Sequence, residues 1–127
     1  MTAEQRVVSA LMGYAPLTDL IADRLYPLVL PQNCPLPAAV YFKVSAPRVH
    51  SLSGQSGLAN VRIQVTTWAR TYPEVKEVAE AMRLAFATKL PEALVISERD
   101  RYEDNTKLFG VDLDVEFFHP EATTRGD

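Results

Sequence analysis

Residues 60–86, NVRIQVTTWARTYPEVKEVAEAMRLAF, change from a two-residue apolar repeat to a three-to-four-residue repeat within a few positions. Val61, Ile63 and Val65 alternate with polar residues, which is the pattern of a strand with one buried face. Trp68 falls on the polar face of this strand. We therefore expect that a neighbouring element covers the end of the strand or that its second face is only partly wet.

The second half of this stretch predicts an amphipathic helix. Pro73 suits its first turn, where the missing N–H costs nothing, and Pro91 ends the run. One apolar stripe follows the helical repeat and comprises Val75, Val78, Ala79, Met82, Ala85 and Phe86. Leu84 lies almost opposite this stripe. A single exposed leucine is common in globular proteins, and here it is also a candidate contact point.

The composition describes an ordinary globular domain. The chain has 127 residues, of which 47% are hydrophobic and 23% charged, and its formal net charge is −3. Because it has no Lys/Arg block, no nucleic-acid-binding surface is indicated. No apolar run reaches the roughly 20 residues that cross a bilayer, and the start resembles a helix more than a signal peptide, so we expect a cytoplasmic protein. Cys34 has no second cysteine for a disulfide or zinc site, and we interpret it as inert.

The remaining segments favour helices first and strands afterwards. Thr2 and Gln5 match a capping box for a helix from Ala3 to Met12. Helical spacing predicts a second helix over Leu17, Leu20, Ile21 and Leu25, and a proline-rich stretch follows, with an edge strand at Leu28 to Leu30.

Three further strands are expected beyond the central one. The first has Val40, Phe42 and Val44 on one side. The second lies around Leu94 to Ser97, and the chain then runs into a charged turn at Asp104 and Asn105. The last has five apolar residues on one side: Phe109, Val111, Leu113, Val115 and Phe117. This order predicts a single α+β domain over residues 1–118. We expect a mainly antiparallel sheet of about four strands, packed on one face by the central and N-terminal helices. Residues 119–127 are polar and predict a disordered tail.

Residues 47–59, PRVHSLSGQSGLA, have no hydrophobic period and are longer than a hairpin needs. Such a segment is either an interaction loop or a flexible hairpin tip. Together with the exposed leucine of the helix, it supplies the candidate interface residues Arg48, His50, Leu52, Gln55, Leu58 and Leu84.

The sequence offers little catalytic chemistry. Asp112, Asp114 and Glu116 point the same way on the last strand and are the best metal candidates. Successive same-face residues are about 7 Å apart, so one ion would not readily reach all three, and a solvated sheet face is the simpler interpretation. His50 and His119 have no partner at a recognised catalytic spacing. We therefore expect no enzyme, no cofactor and no metal site.

Three segments carry a family resemblance: LTDLIADRLYP, LPAAVYFKVS and the run from Ser56 to Phe86. Together they resemble the tail-completion proteins of long-tailed bacteriophages and prophages, which are tail terminators or tail-to-head joining proteins. The likeness extends from about Val7 to Phe117. The family often has an acidic residue near Thr66 or Thr67, where this chain has threonine.

The resemblance implies a structural virion protein without catalytic activity. It implies a homo-oligomeric ring, usually a hexamer, at the head-proximal end of the tail, assembled in the bacterial cytoplasm. Its expected partners are the tail tube protein and a head-neck connector protein, with DNA passing through the lumen without specific binding and no membrane involved. A mildly acidic chain suits such a channel, since a basic lumen would retard DNA. The alternatives are a head-side neck or adaptor component, or a small ligand-binding or enzymatic domain.

Overall fold

The computed structural model describes residues 1–51 and 54–121. In these ranges the chain forms three helices and six strands, in the order α1 (Ala3–Met12), α2 (Ala15–Ile21), β1 (Leu25–Pro27), β2 (Ala38–Ser45), β3 (Arg48–Ser51), β4 (Gly54–Ala69), α3 (Tyr72–Lys89), β5 (Leu94–Glu103) and β6 (Leu108–Pro120). None of these helices combines the length and the apolar character needed to traverse a lipid bilayer.

One sheet contains all six strands, in the order β1-β2-β4-β6-β5, and β3 also pairs with β4. Every neighbouring pair is antiparallel except β1 with β2, which is parallel. The predicted α+β fold with a mainly antiparallel sheet is confirmed, although the sheet has six described strands where the sequence indicated about four.

The helices cover one face of this sheet, as expected. The residues predicted to meet there are fully buried: Val61, Ile63 and Val65 of β4, Val111, Leu113 and Val115 of β6, and Val75, Val78, Met82 and Phe86 of α3. Residues of α1 and α2, among them Leu11 and Leu17, belong to the same core cluster. We call this side of the sheet the covered face and the other side the open face.

The N-terminal helices follow the sequence closely at their start and less closely at their end. The capping box is present, since the Gln5 N–H donates to Thr2 Oγ1 over 3.1 Å. The prediction was wrong in extending the second helix to Leu25. The helix ends at Ile21, because Ala22 adopts a left-handed φ of 54°, and Leu25 begins β1.

The edge strand predicted at Leu28 to Leu30 was also wrong. The strand is β1, three residues earlier, and Leu28 leaves it with a left-handed φ of 69°. That turn directs the following residues away from the ladder, so Leu28 and Val29 are 70% and 72% exposed.

The position of Trp68 has a local explanation. Trp68 lies opposite Gly110 on β6. A Cβ atom added at Gly110 would lie 2.8 Å from Trp68 Cζ3, so the indole packs flat over the glycine backbone. This agrees with the expectation that the second face of the strand is only partly exposed to solvent at Trp68.

The last two strands are longer than predicted. β5 runs to Glu103 rather than Ser97, and the turn at Asp104 and Asn105 is where it was expected. β6 continues through Pro120, two residues beyond the predicted domain boundary at 118. Residues 122–127 lie outside the described part of the chain, so the disordered tail stays a prediction for them.

We predict that Met82→Ala or Phe86→Ala lowers the free energy of unfolding by about 2–5 kcal/mol, because each side chain is fully buried and its truncation leaves a cavity. Urea unfolding followed by circular dichroism measures this loss. Leu84→Ala on the same helix is the matched control, since Leu84 is 45% exposed. A loss from the buried truncations as small as that of the control would contradict this packing.

Candidate assembly surfaces

A two-stranded arm prolongs the sheet beyond its core. β6 pairs with β4 only as far as Leu58, which lies opposite Pro120. Beyond this point the register pairs Gly54 and Gln55 with β3 alone among the described strands, and the Gly57 carbonyl accepts a hydrogen bond from the Glu121 N–H over 2.7 Å. We call residues 48–51 and 54–58 the arm. A two-stranded ribbon is marginally stable by itself in water, so a further contact would stabilise the arm.

The loop predicted over Pro47 to Ala59 is thus mostly strand, and that prediction was wrong. The register shifts between Val49 and His50, and Gly57 adopts a left-handed φ of 83°. Such a bulge puts neighbouring residues out of phase and hides the two-residue alternation in the sequence. Within this segment, positions 52 and 53 between the two strands lie outside the described residues.

The structure groups most of the predicted interface residues on this arm. Arg48 and His50 lie on β3, and Gln55 and Leu58 lie on β4. Leu52 falls outside the described residues. Arg48 fixes the base of the arm, because its Nε contacts Glu121 Oε1 at 2.8 Å and its Nη1 donates to the Ala46 carbonyl over 2.6 Å.

Leu84 lies on a different surface, the groove between α2 and α3. This groove encloses about 590 Å³, and Leu84, Leu20 and Ala81 form part of its apolar floor. Asp19, Glu77 and Glu80 line it as well. Its lysine, Lys76, is already paired with Asp100 at 2.9 Å and Glu98 at 3.3 Å. The Leu84 groove is therefore apolar at its centre and acidic around it.

Arginine side chains of β5 cover the aspartates of β6 on the open face. Arg101 Nη2 donates to Asp112 Oδ2, and Arg99 Nη1 lies 3.1 Å from Asp114 Oδ2. Asp112 is 1% exposed and Asp114 is 8% exposed. The interpretation as a solvated carboxylate face was therefore wrong for these two residues, because each aspartate sits beneath a guanidinium group from the neighbouring strand.

The same pairing argues against the metal candidate. The arginines occupy Oδ2 of both aspartates, and the hydrogen bond to Asp114 raises the pKa of Arg99 further above its usual range. Asp114 Oδ1 is buried without a hydrogen-bond partner. Glu116 does not join the ion pairs. In the described ranges, no group of three or more His, Cys, Asp and Glu side chains has a geometry that could hold a metal ion.

Thr66 completes this network from β4. Its hydroxyl donates to Asp112 Oδ1 over 2.7 Å, and Thr66 itself is 5% exposed. An acidic residue at this position would face Asp112 as a buried like charge, which is strongly unfavourable. The threonine in this chain is therefore matched to the aspartate on the adjacent strand.

The other half of the open face is an apolar groove of about 510 Å³. Its apolar lining comes from the segment after β1, from β2, from the end of β4 and from the start of β6, and includes Leu28, Val29, Val40, Phe42, Trp68 and Leu108. Arg101, Glu103 and Thr106, at the end of β5 and in the turn after it, form its polar border. The sequence had placed Val40 and Phe42 on one side of their strand, and that side proves to be the open face. Ala39 and Tyr41 face the helices instead.

Arg6 clamps α1 to the end of β6. Its guanidinium donates to the Phe118 carbonyl over 3.3 Å and to His119 Nδ1 over 3.0 Å, pairs with Glu92, and lies 4.8 Å above the Phe117 ring. In the sequence His119 has no partner at a catalytic spacing, and its neighbour in the structure is Arg6. It is 8% exposed, and burial together with the charge of Arg6 lowers its pKa below the usual range.

The comparisons with known proteins decide the family. The profile of the family described as "Tail completion protein gp17" matches residues 5–119. The chain belongs to this family. The predicted resemblance is thus confirmed, and membership gives the protein a structural role in a phage-type tail.

Solved structures extend the likeness to the fold. A chain of the "Virion of native gene transfer agent (GTA) particle" superposes with a TM-score of 0.70 at 17% sequence identity, covering 90% of this chain and 91% of that one. At this identity the match shows a shared fold. No curated protein matches the chain.

Sequence patterns missed two features of these surfaces. The Arg99 and Arg101 pairs with Asp112 and Asp114 depend on the cross-strand register of β5 and β6, which periodicity does not give. The apolar groove had a local signal, since Leu28, Val29 and Leu30 are consecutive apolar residues between two prolines. Consecutive apolar residues in a proline-bracketed turn bury poorly, and this pattern could have marked an exposed patch.

We predict that the free energy of unfolding falls on acidification through His119. The unfolded histidine titrates near pH 6.5, and the folded one titrates lower, so the unfolded chain binds the extra proton first. The contribution is complete above about pH 6.5 and is lost as the pH falls towards the lowered pKa. Chemical denaturation at a series of pH values between about 5 and 7 measures the slope.

His119→Gln should flatten this slope, because the amide oxygen can still accept from Arg6 and does not titrate. His50→Gln is the matched control, since His50 is exposed on β3. An unchanged slope in His119→Gln, or an equal flattening in His50→Gln, would contradict the prediction.

Proposed function

We propose that this protein is the ring component that completes the tail. It caps the finished tail tube, stops its growth and presents a docking surface to the neck of the head. The observation that carries this proposal is the family match over residues 5–119, nearly the whole described domain. The role is structural rather than catalytic. The protein is located in the virion, at the head-proximal end of the tail.

The ring is a homo-oligomer, a hexamer by family resemblance, and needs heterologous contacts in which one patch meets a different patch. The arm and the Leu84 groove are separate surfaces of one subunit, which supports contacts of this kind. The arm residues Arg48, His50, Gln55 and Leu58, together with Leu52 of the segment between its strands, meet the adjacent subunit or the tail tube. Leu84 supplies an apolar anchor on the helix layer.

The tail tube protein and a head-neck connector protein are the other partners, and DNA passes through the lumen without specific binding. The formal charge of −3 supports this, since a basic lining would hold the phosphate backbone. The pairing of Arg99 and Arg101 with Asp112 and Asp114 removes two more cations from any DNA-facing surface.

The decisive experiment is complementation of a phage or prophage that lacks this gene, with the tails examined by electron microscopy. Loss of a tail terminator should give abnormally long tails or tails that never join heads. Normal joined virions in the deletion would refute the assignment. Tails of normal length beside unjoined heads would instead favour a head-side neck or adaptor component.

We predict that Leu84→Glu blocks ring closure and leaves the subunit folded. The new carboxylate would stand in an apolar contact already bordered by Glu77 and Glu80. Light scattering and negative-stain microscopy measure assembly, and circular dichroism measures folding. Thr88→Glu, an exposed position one turn further along α3, is the matched control. Rings formed by Leu84→Glu as readily as by the control would remove Leu84 from the interface.

We also predict that backbone amides of residues 47–59 exchange more slowly with solvent in the assembled state. The arm residues before Leu58 have a single neighbouring strand, so their hydrogen bonds open at little cost in the free subunit. Hydrogen exchange with mass spectrometry on free subunits and on purified tails measures the difference. Equal protection in both states would argue for a flexible hairpin tip without an interface role.

A further inference from the structure

We propose that neighbouring subunits join edge to edge through two apolar segments at opposite edges of the sheet. Leu28 and Val29, beyond β1 in one copy, receive Leu94 and Ile96 of β5 from the next copy. This inference rests on the ring of the proposed function and adds a further subunit contact to those of the arm and the Leu84 groove.

The first segment is held in an unfavourable conformation that exposes it. Leu28 has a φ of 69°, a left-handed conformation that is rare for leucine. Its N–H donates to the Tyr41 carbonyl over 2.9 Å, which anchors the turn to β2. The result is two large apolar side chains, 70% and 72% exposed, that form one wall of the apolar groove on the open face. A strained turn that exposes apolar side chains does not stabilise an isolated subunit. We therefore interpret this turn as a binding surface.

The second segment is the unprotected half of the other edge. β5 is the terminal strand of the sheet beside β6. Residues 98–101 are all charged, which is the usual protection of an edge strand against pairing. Residues 94–97, Leu-Val-Ile-Ser, carry no charge, and Leu94 and Ile96 are 66% and 41% exposed. This half of the edge is open to another chain.

The positions of the two segments favour a second copy of this chain as the occupant. They lie at the two ends of one sheet, β1 and β5, so a contact between them is heterologous and repeats from subunit to subunit. Leu94 lies opposite Glu116 and therefore projects on the open face, the same face that carries the apolar groove. One contact would thus bury both patches and continue the open face into the next subunit.

The test uses a charge exchange. Leu28→Asp and Leu94→Lys should each give folded subunits that fail to form rings. The double variant Leu28→Asp/Leu94→Lys should recover rings, because each interface then holds one aspartate and one lysine. Val44→Lys is the matched control, since Val44 is 47% exposed on β2 and lies outside the groove lining. Light scattering and negative-stain microscopy count the rings, and thermal unfolding checks the fold of each variant.

A second measurement uses assembled tails. In a Cys34→Ser background, Leu28→Cys/Leu94→Cys should form a ladder of covalently linked subunits with a short bifunctional thiol reagent. The two positions of one chain are four strand spacings apart, about 19 Å, so such a reagent does not join them within a subunit. Each single cysteine variant should give no ladder.

The outcomes separate this inference from the proposed function. Wild-type rings with unaffected single variants, or a double variant that stays monomeric, would overturn the edge contact alone. Single variants that form rings but leave tails uncapped would assign the groove to the tail tube protein and also overturn it. Absence of rings from the wild type, both free and in tails, would overturn the ring itself.

Discussion

The apolar stripe of α3, packed over the paired strands β4 and β6, is the interaction on which the rest of the structure depends. Met82 and Phe86 meet Ile63, Leu113 and Val115 in a contact without solvent. Because α1 and α2 complete the same layer, one face of the sheet is entirely used for folding. The open face, the two edges, the arm and the outer surface of the helices remain for assembly.

The open face is divided between two kinds of chemistry. On the β5–β6 side, arginines cover aspartates, and each charge is neutralised by its neighbour. On the β2–β4 side, Phe42 and Trp68 leave an apolar groove. The polar half resists non-specific association because its charges are already paired and fixed in place. Burial of the apolar half would release substantial hydrophobic free energy.

The sequence predicted correctly the elements that bury one side against the core. β4, β6 and α3 have one buried side, so the strand alternation and the helical stripe are legible in the residues themselves. The arm is not legible, because the bulge at His50 and Gly57 breaks the alternation. The sequence placed the edge strand at Leu28 to Leu30 rather than at β1, because the parallel pairing of β1 with β2 depends on residues far along the chain. The ion pairs of Asp112 and Asp114 required the register of the β5–β6 hairpin, and a single strand pattern does not contain it.

The proposed function requires subunits that stay soluble until they reach a finished tail, and the distribution of the apolar surface is compatible with this requirement. Leu84, the Leu28–Val29 turn and Leu94 lie on separate elements, and acidic or paired charged residues border two of them. Each patch alone is too small to drive strong association in dilute solution. In the proposed ring every subunit would use both of its complementary surfaces at once, and the last contact to form would be intramolecular. Weak individual contacts would then give a stable ring only where subunits are brought together, which under the proposed function is the end of a tail.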